Sequence, residues 1–232
     1  MKKIKLAIVT PYPPSVVTLN EYAYHLIQHF SQKEEITEIV LITDKVTDGN
    51  PEDHLPETGC AIRVRQTWEF NSMKNILNIW RTVRQEKPDV VLFNLQFLSF
   101  GDKKIQAALG LLTPWILKKS GFPSVVLLHN IMEEVDLSQA GITQNKLLTR
   151  IFNFIGSTLT RFLLASELVG VTIEKYVDVL REKYKKQNIA LIPHGTFELP
   201  EVPDFSPSKG PLQIMTFGKF GTYKKVEILI EA

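Results

Sequence analysis

Several stretches of this chain are apolar at nearly every position rather than at every second one, and this narrows the choice of fold more than any other feature. Residues 4–10, 39–43, 89–95 and 124–129 have too few polar positions to turn one face to water. Strands of that kind are buried on both faces, as in a parallel sheet with helices packed above and below it.

The segments between them fit that plan. Thr18 and Glu21 have capping-box spacing and predict a helix opening at Thr18 and running to about residue 30. Apolar residues at 73, 76, 77, 80 and 83 predict a helix over 73–85. Further helices are expected over 103–117, interrupted by Pro114, and over 146–165 and 174–185. Residues 61–67, 169–173 and 188–193 read as the remaining strands, and 44–59 is polar and rich in turn residues. The expected fold is α/β, a doubly wound parallel sheet of Rossmann-like type. Residues 1–197 form this domain. Residues 198–211, with Pro200, Pro203, Pro207, Gly210 and Pro211, form a semi-rigid linker. Residues 212–232 read as the start of a second α/β domain: an apolar strand, a break at Gly218, a loop bearing Lys219, Lys224 and Lys225, and about two turns of helix. A strand leading into a helix N-terminus beside lysines is a natural anion site, because the first helical N–H groups have no intrahelical partners. So short a piece cannot bury a core, so the expectation is a truncated part of a longer two-domain protein.

Composition excludes several classes. A formal net charge of +2, with basic residues spread along the chain and no aromatic-interleaved basic stripe, argues against nucleic acid. Cys60 is the only cysteine, so there is neither an intrachain disulfide nor a thiolate metal cluster, which favours a reducing, cytoplasmic setting. The apolar start is cut off by Pro11, too early for a signal peptide. The longest uncharged stretch of interest, 105–117, falls short of the roughly 18 residues a spanning helix needs. Together with 147–164 it is apolar enough to suggest an interfacial contact, although core packing accounts for it better.

In open parallel sheets, ligands bind beyond the carboxyl ends of the strands. Two histidines, His129 and His194, fall in such loops. Position alone leaves two readings of each: a cleft group able to exchange protons near neutral pH, or a structural ring bonded to loop backbone. Phosphate-loop, dinucleotide, zinc-protease and nucleophile-elbow motifs are all missing. Glu133 and Glu134 read as a solvated loop face rather than an acid–base pair.

Taken in order, Pro11-Tyr-Pro-Pro14, Lys87-Pro-Asp-Val-Val91, the histidine-ended strand 125–129, Ile192-Pro-His-Gly195, Phe217-Gly-Lys219 and Lys224 with Ile228-Leu-Ile-Glu-Ala232 resemble the retaining glycosyltransferases of family four. The resemblance implies the GT-B architecture, with an N-terminal acceptor domain facing a C-terminal domain that binds a nucleotide diphosphate sugar. It implies transfer of a hexose to an acceptor hydroxyl with retention, in polysaccharide or glycoconjugate synthesis, with no cofactor and no metal. His129 would lie beside the reacting sugar. Gly218, Lys219 and Lys224 would hold the donor diphosphate, whose developing charge fixed cations stabilise. Val17, Thr18, His194 and Gly195 would border the acceptor or sugar. The partners implied are a nucleotide sugar and a saccharide or lipid-linked acceptor, at the inner face of a membrane.

Two departures from the family stand out. Val17 and Thr18 occupy places where the family commonly has glycines, and β-branched side chains resist the backbone angles that glycine allows. The family's paired glutamates belong to the missing domain. Glu174 and Glu182 share their spacing but read as a coincidental solvated pair. An inverting transferase or a sugar-nucleotide epimerase, with His129 or Glu133 and Glu134 as base, and a non-catalytic glycan-binding module remain open as alternatives.

Overall fold

The computed structural model describes residues 3–134 and 146–195 and the single positions 210, 211, 228 and 230. In chain order its elements are β1 (Ile4–Val9), α1 (Asn20–Ser31), β2 (Ile36–Asp44), β3 (Ala61–Trp68), α2 (Asn75–Glu86), β4 (Val90–Leu95), α3 (Lys104–Leu111), α4 (Thr113–Lys119), β5 (Ser124–Leu128), α5 (Lys146–Leu163), β6 (Leu168–Val171), α6 (Glu174–Tyr184) and β7 (Ile189–Leu191). Apart from the helical positions Ile228 and Ile230, the expected strand and helix at 212–232, with Gly218, Lys219 and Lys224, lie outside the described residues.

The strands form one sheet in the order β3-β2-β1-β4-β5-β6-β7, with every neighbouring pair parallel. Apolar runs are needed because each central strand feeds two cores. Along β1, Ala7 and Val9 pack with Val40, Ile42, Phe93 and Val126 on one face. Leu6 and Ile8 pack with Ile39, Leu41, Leu92 and Leu127 on the other. A fully buried side chain of this size contributes about 1.5–3 kcal/mol. A polar residue at any of these positions would be stranded in one core or the other.

One helix expectation holds and one is corrected. The chain breaks cleanly around Pro114, where α3 ends at Leu111 and α4 takes the proline into its first turn, the position at which a missing N–H costs nothing. The capping box at Thr18, however, does not form. Helix α1 starts at Asn20, and the residue before it, Leu19, adopts φ 79° with no side-chain cap. Asn20 instead accepts a bond on Oδ1 from the N–H of Glu21 and donates its amide to the carbonyl of Ser15. The loop after β1 is pinned from inside, and that sets where the helix can begin. Glu174 and Glu182 are both exposed on α6, as expected of a solvated pair.

Candidate functional site

Strand order reverses between β1 and β4: β2 and β3 extend the sheet one way from β1, and β5, β6 and β7 extend it the other way from β4. The crevice outside the carboxyl ends at such a switch point is where open α/β sheets place ligands. Three side chains from successive strand ends meet there. The Thr10 hydroxyl, just past β1, donates to the carbonyl of Pro11 at 3.1 Å. Asn94, the fifth residue of β4, donates from Nδ2 to Thr10 Oγ1 at 3.0 Å. Oδ1 of Asn94 lies 2.6 Å from Nε2 of His129, which follows β5 directly and whose own N–H bonds to the carbonyl of Leu95. Thr10 and Asn94 are buried.

Two aromatic rings close over His129. Tyr22, in the first turn of α1, meets it edge-on with centroids 4.5 Å apart. His194, after β7, stacks on it at 5.2 Å and also meets Tyr22 at 5.5 Å. Nδ1 of His129 is covered and has no hydrogen-bond partner among the described residues. Burial, and secondarily the neighbouring His194, lower the pKa of His129 from 6.5 to about 4. At neutral pH the ring is therefore uncharged.

Beside this cluster runs a groove of about 450 Å³, bordered by Glu21, Tyr22, His25 and His29 of α1 and by His194 and Gly195. The structure thus brings His129 and His194 together, and places Gly195 in the adjoining groove. Val17 and Thr18 it does not bring in. Val17 is half-buried against the core, and Thr18 is exposed on the loop. Their backbone needs no glycine, because the left-handed residue of this loop is Leu19.

The reading of Glu133 as part of a solvated loop face is overturned. Its side chain is only 3% exposed and accepts from the Tyr184 hydroxyl, with Lys183 Nζ at 3.4 Å. The short turn over Met132–Glu134 lies against α5, with Met132 packed beside Gly156, so the carboxylate faces inward. Thr10, Asn94 and Tyr22 were not anticipated as site residues. Asn94 did leave a signal, as a carboxamide inside an otherwise apolar strand. Among the described residues no group of three or more His, Cys, Asp or Glu side chains is placed to hold a metal ion. Nor, among those residues, is any helix long and apolar enough to cross a membrane.

No protein-family model matches the chain, and no curated protein sequence matches it. Several solved structures resemble it. UGT2 of Phytolacca americana, in complex with UDP-2-fluoro-glucose and pterostilbene, superposes with a TM-score of 0.52 at 9% identity, covering 86% of this chain and 55% of that one. The Bordetella bronchiseptica enzyme WbmG, in complex with NAD, matches at TM-score 0.43 and 16% identity over 74% of this chain and 53% of its own. A glycotransferase of kitacinnamycin matches at 0.44 and 13% identity over 90% and 56%. The chain spans about half the length of each of these structures. At such identities the likeness concerns architecture alone, a Rossmann-like parallel sheet that this chain shares with about half of the UGT2 chain.

Proposed function

We propose that this chain is the acceptor-side unit of a nucleotide-sugar-dependent glycosyltransferase. In this reading a second α/β unit, beginning near residue 212, supplies Gly218, Lys219 and Lys224 to the donor diphosphate. The hexose passes to an acceptor hydroxyl with retention, in the synthesis of a polysaccharide or glycoconjugate. No cofactor takes part.

The observation that carries the reading is the state of His129: a neutral ring at the switch point, held by Asn94 and bordered by a groove. A ring that stays uncharged at neutral pH can still accept a hydrogen bond through its bare nitrogen. That suits orientation of a sugar hydroxyl. The groove beside Tyr22 and His194 offers aromatic faces and polar edges, the mixture a saccharide needs. On α5, Ile151, Phe154 and Ile155 are exposed at helical spacing next to exposed Arg150. This stripe supports contact with a membrane surface on the cytoplasmic side, where a lipid-linked acceptor would be held.

The test is transfer by the full-length protein from UDP-, ADP- and GDP-hexoses to saccharide and lipid-linked acceptors, with the anomeric configuration of the product read by NMR. A product that keeps the donor's configuration, and no turnover by residues 1–232 alone, is expected. An inverted product would make His129 a base. Glycan binding without transfer from any donor would make the protein a binding module.

A further inference from the structure

We propose that Asn94 is a positioning residue: oriented by Thr10, its amide holds His129 as the Nε2–H tautomer and leaves Nδ1 as the ring's bare acceptor. This deepens the reading of the same site, but its physical content does not depend on which reaction occurs there.

The carbonyl of Pro11 can only accept, so the Thr10 hydroxyl, 3.1 Å away, spends its single proton there. Thr10 Oγ1 is then left as an acceptor, and only the NH₂ end of the Asn94 amide satisfies it, at 3.0 Å. This turns Asn94 Oδ1 toward His129. A carboxamide oxygen also only accepts, so the ring nitrogen 2.6 Å away, Nε2, must carry hydrogen. Asn94 is 0% exposed and Thr10 1%, so water does not compete for either. The polarity of the chain therefore runs from a backbone carbonyl to a ring tautomer across the ends of β1, β4 and β5. Among the described residues, the groups facing the ring from other elements are Tyr22 of α1 and His194 after β7. Neither appears as a bonding partner of Nδ1, which is covered and unsatisfied. An uncharged ring then has one unfilled site, and the ligand chemistry that fills it is a hydroxyl donor. A ligand offering only acceptors at that point, such as a bare phosphate oxygen, would find no proton.

The test uses the 232-residue chain with ¹⁵N-labelled imidazoles and long-range ¹H–¹⁵N spectra, the His129 signals being identified by their loss in His129→Gln. At pH 7 the expected pattern is a protonated Nε2 and a bare Nδ1. Thr10→Val removes the group that orients the amide, and a second tautomer should appear; Thr10→Ser should restore the single form. Asn94→Asp places a carboxylate against Nε2 and should raise the His129 midpoint by about 1–3 units. A wild-type ring protonated at Nδ1, alone or at both nitrogens at pH 7, overturns the proposal, and this holds even if no variant folds. Folded Thr10→Val and Asn94→Asp proteins with unchanged His129 spectra would overturn it too. None of these outcomes depends on glycosyl transfer, so a wrong function and a wrong tautomer are told apart.

Discussion

The hydroxyl of Ser15 donates to Oδ2 of Asp44 at 2.5 Å, tying the loop after β1 to the last residue of β2 with both side chains buried. Ser15 Oγ also accepts from the N–H of Val17 at 3.1 Å, and its carbonyl takes the Asn20 amide. One small residue thus fixes the entry to α1 and, with it, the place of Tyr22. Ser15→Ala should leave a buried carboxylate oxygen short of a donor and cost about 1–3 kcal/mol. Chemical denaturation measures the loss. Limited proteolysis should find new cleavage between residues 13 and 19. An unchanged denaturation midpoint would mean that the loop is held by something else.

His129→Gln and His129→Ala separate binding from support. Glutamine can still donate to Asn94, so its variant should stay close to wild-type stability. Alanine leaves the buried Asn94 oxygen unpaired and should cost about 1–3 kcal/mol. If the ring orients substrate, both should lower turnover in the full-length protein by at least about tenfold, equivalent to about 1.4 kcal/mol of transition-state stabilisation. Normal turnover per folded molecule in the glutamine variant would remove His129 from the chemistry.

Acid should weaken the fold through the same ring. The folded pKa of about 4 lies below the ordinary 6.5, so between these values the unfolded chain binds a proton that the folded chain refuses. Stability therefore falls as pH drops from 6.5 toward 4, by at most about 3 kcal/mol, and this contribution is flat outside the window. His129→Gln abolishes it. Denaturant midpoints at pH 7 and pH 4.5 should converge for the variant relative to wild type, and parallel losses in the two proteins would contradict the assignment.

At the opposite end of the sheet, Glu86 titrates with the reverse sign. Burial acts to raise its pKa, but the bond from Arg65 at 2.7 Å and the charges of Arg65, Lys5 and Arg63 prevail and hold it below 4.5. Its stabilising effect is present above that pH and lost on acidification. Its side chain is only 7% exposed while its arginine partners are about half exposed. Glu86→Gln should therefore cost about 2 kcal/mol near neutrality, between the values for surface and buried pairs. The gap between variant and wild type should close as the pH falls below 4.5.

The sheet was legible in the sequence because β1, β2, β4 and β5 are buried on both faces, and no other arrangement of Leu6, Ala7, Ile8 and Val9 in succession satisfies that demand. β2 proved longer than its apolar run, from Ile36 to Asp44, because pairing with β1 and β3 carries polar positions such as Glu38 and Asp44 into the strand. The start of α1 was misjudged because the capping signal at Thr18 is local, whereas the bond that decides the matter joins Ser15 to Asp44, 29 positions away. The same limit hid most of the site. His129 and His194 stood out by residue type and place, but their stacking, and the bonds through Asn94 to Thr10, join residues that only the sheet order makes neighbours. Glu133 was misplaced because nothing in its neighbourhood announces that Tyr184, 51 positions on, will meet it.

The Glu86 clasp reaches further than the pair it forms with Arg65. Arg63 also meets Glu38 of β2, and Glu86 also meets Lys5 of β1, so the cluster spans three neighbouring strands and draws the guanidinium groups of the edge strand β3 inward over the sheet. One carboxylate at the end of α2 therefore ties the helix to β1 and β3 at once. Neutralising it would loosen the edge strand and the helix together rather than a single contact.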